Sequence, residues 1–205
     1  PRVALKLTRC ASAMGNILIE SKHFLAMSGL EQNAYLSREL ALKEWVPGDE
    51  VLAMVWEAAS ASPSTQLWIP SPSVGPPVVE GVYEQLLVGE EQMFLGAIPS
   101  TLGGEMDGRL MTASLRLGSL FQALGYRGRC SFDFIIVSGN AKLVECNGRW
   151  GGTSTPMHLV ERVRGRNRGA YRARDVVNDA LRGLSFPKLI ERLGDTLFNA
   201  STGNG

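Results

Sequence analysis

Histidine and cysteine are scarce: two of the first (His23, His158) and three of the second (Cys10, Cys130, Cys146) in 205 residues. The cysteines lack the paired spacing of a zinc site, and the histidines stand too far apart to share a helix face. Both histidines therefore read as surface or packing residues. An odd cysteine count fits free thiols in a reducing compartment, and a cytoplasmic location is expected. No apolar run approaches the roughly 18 residues of a membrane span, and no signal-peptide pattern opens the chain. Net charge is small, +1 from 21 basic and 20 acidic side chains, which argues against general nucleic-acid or acidic-surface binding. A Walker A pattern is absent, and no Ser-His or Cys-His pair marks a protein nucleophile. A starting methionine is missing too, and the opening Pro1-Arg2 suggests a fragment or a processed product.

What remains is an ordinary globular profile, 44% hydrophobic and 20% charged, long enough for one large domain or two small lobes. Val3 to Thr8 reads as a strand, followed by a loop of small residues and a second strand at Ile17–Ile19. Helical patterning follows over 27–42. Residues 42–56 read as two strands meeting at the Pro47-Gly48 bend. The stretch 58–77, dense in Ser, Pro and Ala, reads as loop around a short strand at 67–69. Another strand is expected at 82–88. Asp107 is placed to cap a helix running to Leu124, with Leu110, Ala113, Leu117, Leu120, Phe121 and Leu124 as its apolar stripe and Gly125 as its stop. Two helices, 173–184 and 187–198, are expected near the end, with a frayed tail at 201–205.

The chemistry concentrates in Ser131–Arg149, where Asp133 sits mid-strand, a Gly-Asn turn follows, and Glu145, Asn147 and Arg149 recur at every second position. Alternate strand positions share a face. If the connection is the three residues Ser138–Asn140, Asp133 opposes Glu145, and Asp133, Glu145 and Asn147 form an all-oxygen cluster with Arg149 beside it. A two-residue connection sends Asp133 to the opposite face. Hard oxygen ligands suit magnesium, which keeps water and bridges substrate phosphates; a solvated polar face of a ribbon is the alternative.

Three further signals precede it. Lys6 lies mid-strand, five residues ahead of the small loop 11–16, where a point charge and backbone amides can meet phosphates. Glu44 to Glu50 forms a bend that can read an adenine edge by main chain and ribose by carboxylate, or is simply an acidic turn. Arg162, Arg164, Arg166, Arg168, Arg172 and Arg174 read as a solvated link. Trp45, Trp56, Trp68 and Trp150 read as packing residues, Trp150 being next to the proposed site.

In this order, the phosphate lysine, small-residue loop, Glu-aromatic-aliphatic bend and Asp…Glu-x-Asn-x-Arg hairpin resemble the ATP-grasp family over about residues 1–160. The run Cys146–Pro156 plus the tail is most similar to pheganomycin-type peptide ligases. The resemblance implies an α+β, ATP-grasp fold: a partial central lobe (1–45), a C-terminal lobe on an antiparallel sheet (46–165) and a helical tail (166–205). It implies ATP and Mg2+ as cofactors. Lys6 and the loop holding Ser12, Ala13, Met14, Gly15 and Asn16 would meet phosphates. Glu44, Trp45 and Val46 would meet adenine, and Glu50 ribose. Asp133, Glu145 and Asn147 would hold magnesium, while Arg149, with Lys6, would act in catalysis by neutralising the transferring phosphoryl group. The implied reaction joins a carboxylate substrate to an amine substrate, an amino acid or peptide, through an acyl phosphate. A non-catalytic nucleotide-binding module and a small-molecule kinase stay open as alternatives, as does homo-oligomerisation. Two departures from the family stand out: the loop is poorer in glycine, and the N-terminal lobe is missing.

Overall fold

The computed structural model describes residues 1–8, 13, 15–165, 169–199 and 201–202. Two antiparallel sheets organise it. The first has the order β2-β1-β3, from Arg2–Leu7 (β1), Asn16–Glu20 (β2) and Val51–Trp56 (β3). Between β2 and β3 run a short helix, Ser21–Leu25 (α1), and Gly29–Leu42 (α2). The latter opens on a capping box in which Ser28 and Glu31 satisfy each other's backbone N–H. Because α2 runs to Leu42 and the Pro47-Gly48 turn follows directly, there is no strand at 42–46. Only the second of the two expected strands forms, and its pairing with β1 places 51–56 in the first sheet, beyond the division expected at residue 45.

The second sheet has the order β8-β7-β4-β5-β6-β9. Its strands are Pro63–Ile69 (β4), Val78–Val88 (β5), Met93–Pro99 (β6), Gly128–Val137 (β7), Asn140–Asn147 (β8) and Ala173–Arg174 (β9). One face packs on Gly104–Ala123 (α3), around Leu67, Ile69, Leu110, Cys130, Phe132 and Phe134. The buried line of α3 is Leu110, Ser114 and Gly118, whereas Leu120 and Leu124 of the expected stripe are exposed. Close approach explains it. A Cβ on Gly118 would lie 3.2 Å from Leu67 Cδ2, and Ser114 Oγ is 2.7 Å from Thr65 Oγ1. Gly103 rather than Asp107 precedes the helix, and Asp107 instead accepts a bond from Ser100 Oγ at 2.6 Å. Gly125 ends it with φ 97°, as expected.

Segment 58–77 is more than loop, since β4 lies between β7 and β5 and every one of its residues but Trp68 is buried. The first tail helix is not formed. Residues 173–174 are β9, and 176–177, two consecutive valines, suit helix poorly. A single 3-10 turn at Asp179–Leu181 follows, then Phe186–Leu193 (α5) and a second 3-10 turn. Ser154–Arg164 (α4) leads into the arginine-rich link, of which Arg166 and Arg168 lie outside the described residues, as do Cys10 and 203–205. Among the described residues no helix is long and apolar enough to cross a membrane.

Candidate active site

The β7–β8 connection is the two-residue turn Ser138-Gly139, both at positive φ (50° and 75°), with Val137 opposite Asn140. By register alone this would pair Asp133 with Val144 and put Glu145 on the far face. A β-bulge corrects the slip. Phe134 pairs with Leu143 and Asp133 with Glu145, leaving Val144 as the extra residue. The turn thus differs from the three-residue expectation, while Asp133 and Glu145 still stand side by side.

They face a cleft of about 520 Å³ lined by both sheets. Lys6 of β1 donates to Glu145 Oε2 at 2.7 Å across it. Asn147 Nδ2 donates to Asp133 Oδ2 at 2.9 Å, and Arg149 Nη2 to Asn147 Oδ1 at 3.0 Å. Ser64 Oγ donates to Asp133 Oδ1 at 2.6 Å. Burial pushes the Asp133 carboxyl up to about 6. Glu145 adds to the rise, while the Ser64 bond and the charges of Lys6 and Arg149 oppose it. Two adjacent carboxylates and an amide oxygen form a hard donor set of the kind that fits Mg2+, with Lys6 bonded to Glu145 and Arg149 to the Asn147 amide oxygen. Among the described residues no group of three or more His, Cys, Asp or Glu could cage a metal, so such an ion would need further oxygens from water or phosphate.

Ala13, Gly15 and Asn16 line the same cleft, whereas Ser12 and Met14 lie outside the described residues. Glu44, Trp45, Val46 and Glu50 are not brought to it. They occupy the turn after α2, where Trp45 Nε1 donates to Asp49 O at 3.0 Å and Val46 N to Asp49 Oδ2 at 3.3 Å. Met54 to Ala59, the end of β3 and the three residues after it, line the cleft instead.

No family model matches the chain, and no curated protein matches it. Solved structures do. A biotin carboxylase from Campylobacter jejuni, in complex with a β,γ-ATP ligand, is 20% identical with a TM-score of 0.61, over 78% of this chain and 34% of that one. The biotin carboxylase domain of the Hydrogenobacter thermophilus 2-oxoglutarate carboxylase, solved with MgADP, ADP and bicarbonate, gives 18% and 0.59 over 78% and 33%. Carboxyaminoimidazole ribonucleotide synthase from Aspergillus clavatus, complexed with ATP, gives 12% and 0.52 over 74% and 35%. The fold is ATP-grasp. The chain spans about a third of the length of these structures. In ATP-grasp terms β2-β1-β3 is the partial central lobe, the six-stranded sheet the C-terminal lobe, and the segment after α4 the tail.

This cleft has a buried support that the sequence reading missed. Gly151 N donates to Ser154 Oγ (3.1 Å), Ser154 Oγ to Gln66 Oε1 (3.1 Å) and Gln66 Nε2 to Ser64 Oγ (3.1 Å), which holds Asp133. This chain ties the start of α4 to the acidic cluster and so fixes the loop bearing Arg149. Its one sequence signal was Ser64 and Gln66 at alternate positions of a strand that ends in the apolar run Leu67–Ile69. Trp150 packs on the far side, stacked on His158 (centroids 5.2 Å apart) with the Arg129 guanidinium 4.9 Å from its ring. Burial also raises both described thiols, Cys130 to about 12. Neither is poised as a nucleophile.

Proposed function

We propose that the chain is the nucleotide-binding part of an ATP-dependent carboxylate–amine ligase, acting in the cytoplasm and joining amino acids or peptides as pheganomycin-type peptide ligases do. The observation that carries this reading is the convergence of Lys6 from one sheet with Asp133, Glu145, Asn147 and Arg149 from the other on a single cleft.

Asp133, Glu145 and Asn147 would hold Mg2+, which would supply charge neutralisation at the phosphates. Lys6 exchanges its bond to Glu145 for one to a phosphate oxygen, and Ala13, Gly15 and Asn16 lie over the terminal phosphates. Adenine lies against the main chain at 54–58, in place of Glu44, Trp45 and Val46, and the ribose role expected of Glu50 passes to that segment. The acid substrate's carboxylate oxygen attacks the γ-phosphorus and ADP leaves. Arg149 neutralises the transferring phosphoryl group and then the tetrahedral oxyanion formed when the amine attacks the acyl carbon. Phosphate departs and the nitrogen loses a proton. Positioning and charge carry these steps, so no protein nucleophile is needed.

The test is ATP titration with and without Mg2+, then phosphate release with a panel of amino acids and short peptides. Hydroxylamine added as nucleophile converts an acyl phosphate to a hydroxamate, detected by mass spectrometry. Amine-dependent phosphate release with hydroxamate formation supports the ligase. A phosphorylated stable product indicates a kinase, and binding without turnover a non-catalytic module.

A further inference from the structure

Among the described residues five carboxylates line the cleft, and four are committed. Glu145 is bonded to Lys6 at 2.7 Å, Glu57 to Lys142 at 2.7 Å, and Glu91 to Lys43 at 2.9 Å. Asp133 is held by Ser64 and Asn147. The fifth, Asp175, has no side-chain partner among the described residues.

Asp175 is also firmly placed. It directly follows β9, whose pairs Gly96↔Arg174 and Ala97↔Ala173 extend the large sheet, and its N–H donates to Leu95 O at 2.8 Å. The approach is too close for any side chain at 96, where a Cβ would sit 2.1 Å from Ala173 O. Tyr171, just upstream, packs against the buried cluster of Tyr83, Ala97 and Met157. Phe94, on the neighbouring strand, touches the loop that carries Arg149, since a Cβ on Gly152 would lie 2.6 Å from its ring. The tail strand thus brings one uncommitted negative group to the same cleft as the cationic pair Lys6 and Arg149.

On the ligase reading, on which this rests, the cleft must accept both an anionic acid and an amine that arrives as an ammonium ion. We infer that Asp175, delivered by the C-terminal β9 strap, is the specificity residue that receives the ammonium group of the amine substrate. A charge-assisted bond from a primary ammonium to a fixed carboxylate is the recognition involved.

The experiment uses the full chain, first saturated with Mg2+ and a non-hydrolysable ATP analogue, then titrated calorimetrically with glycinamide, a primary amine lacking a carboxylate. Wild type should bind it, Asp175→Asn should bind about tenfold more weakly, and Asp175→Glu should recover part of the loss. Asp175 is exposed at the rim, so thermal melting of each variant checks folding directly. Equal glycinamide affinity in wild type and Asp175→Asn overturns the assignment, as does absence of glycinamide binding to the nucleotide-loaded wild type. Failure of the nucleotide itself to bind overturns the ligase reading first, and this inference with it.

Discussion

Asp133 shows how one half-buried carboxylate couples the site to stability. Its carboxyl is raised to about 6 from an ordinary 3.8, so the folded chain holds this proton over a pH window in which the unfolded chain has released it. The contribution is therefore fully favourable below about pH 4 and is lost as pH rises through 6. A shift of about two units corresponds to a penalty on the order of 1–3 kcal/mol at neutral pH without metal. Asp133→Asn should accordingly be more stable than wild type at pH 7.5 in the metal-free state, with the gap closing towards pH 4.5. Denaturant unfolding across that range measures it, and a pH-independent gap would contradict the burial argument. At Lys6, replacement by alanine removes a point charge from the proposed phosphate position. ATP affinity should fall about tenfold or more, read by calorimetry.

Secondary structure was legible wherever side-chain period and end signals agreed. The Asp133–Glu145 hairpin, the 20-residue α3 with its Gly125 stop, and the first two strands follow from patterning alone. The turn length was not legible, because Ser138 adopts a positive φ rarely taken by serine. The bulge at Val144 that rescues the register depends on the partner strand. The bend at 44–50 was misplaced for a related reason: α2 absorbs Leu40 to Leu42, so the segment ending in the cleft is the later one at 54–59. Ser64 and Gln66 gained their roles only because β4 lies beside β7, 69 residues away in the case of Ser64 and Asp133. Packing between elements gives its own test. Gly96→Val would drive a side chain into the backbone of β9, so the tail strand should detach. Limited proteolysis should then cut more readily around 170–178 while the α3 core stays protected, at a cost of about 1–3 kcal/mol. Unchanged cleavage would show that β9 docks without the close approach.

At the scale of the whole molecule, three Lys–Glu pairs among the described residues span the two sheets and their flanking turns: Lys6–Glu145, Lys142–Glu57 and Lys43–Glu91. All are partly exposed, so each contributes little to stability and is weakened by salt. On the proposed reading, Lys6–Glu145 differs from the others in that both partners are wanted elsewhere once nucleotide and cation arrive, the lysine by phosphate and the glutamate by metal. The central claim is that these two residues, from separate sheets, complete one Mg2+–nucleotide site. Its most direct measurement is calorimetric ATP affinity with and without Mg2+, in wild type and in Glu145→Gln. Mg2+ should strengthen ATP binding to wild type markedly and leave Glu145→Gln nearly unchanged. An equal Mg2+ enhancement in both proteins would contradict the account.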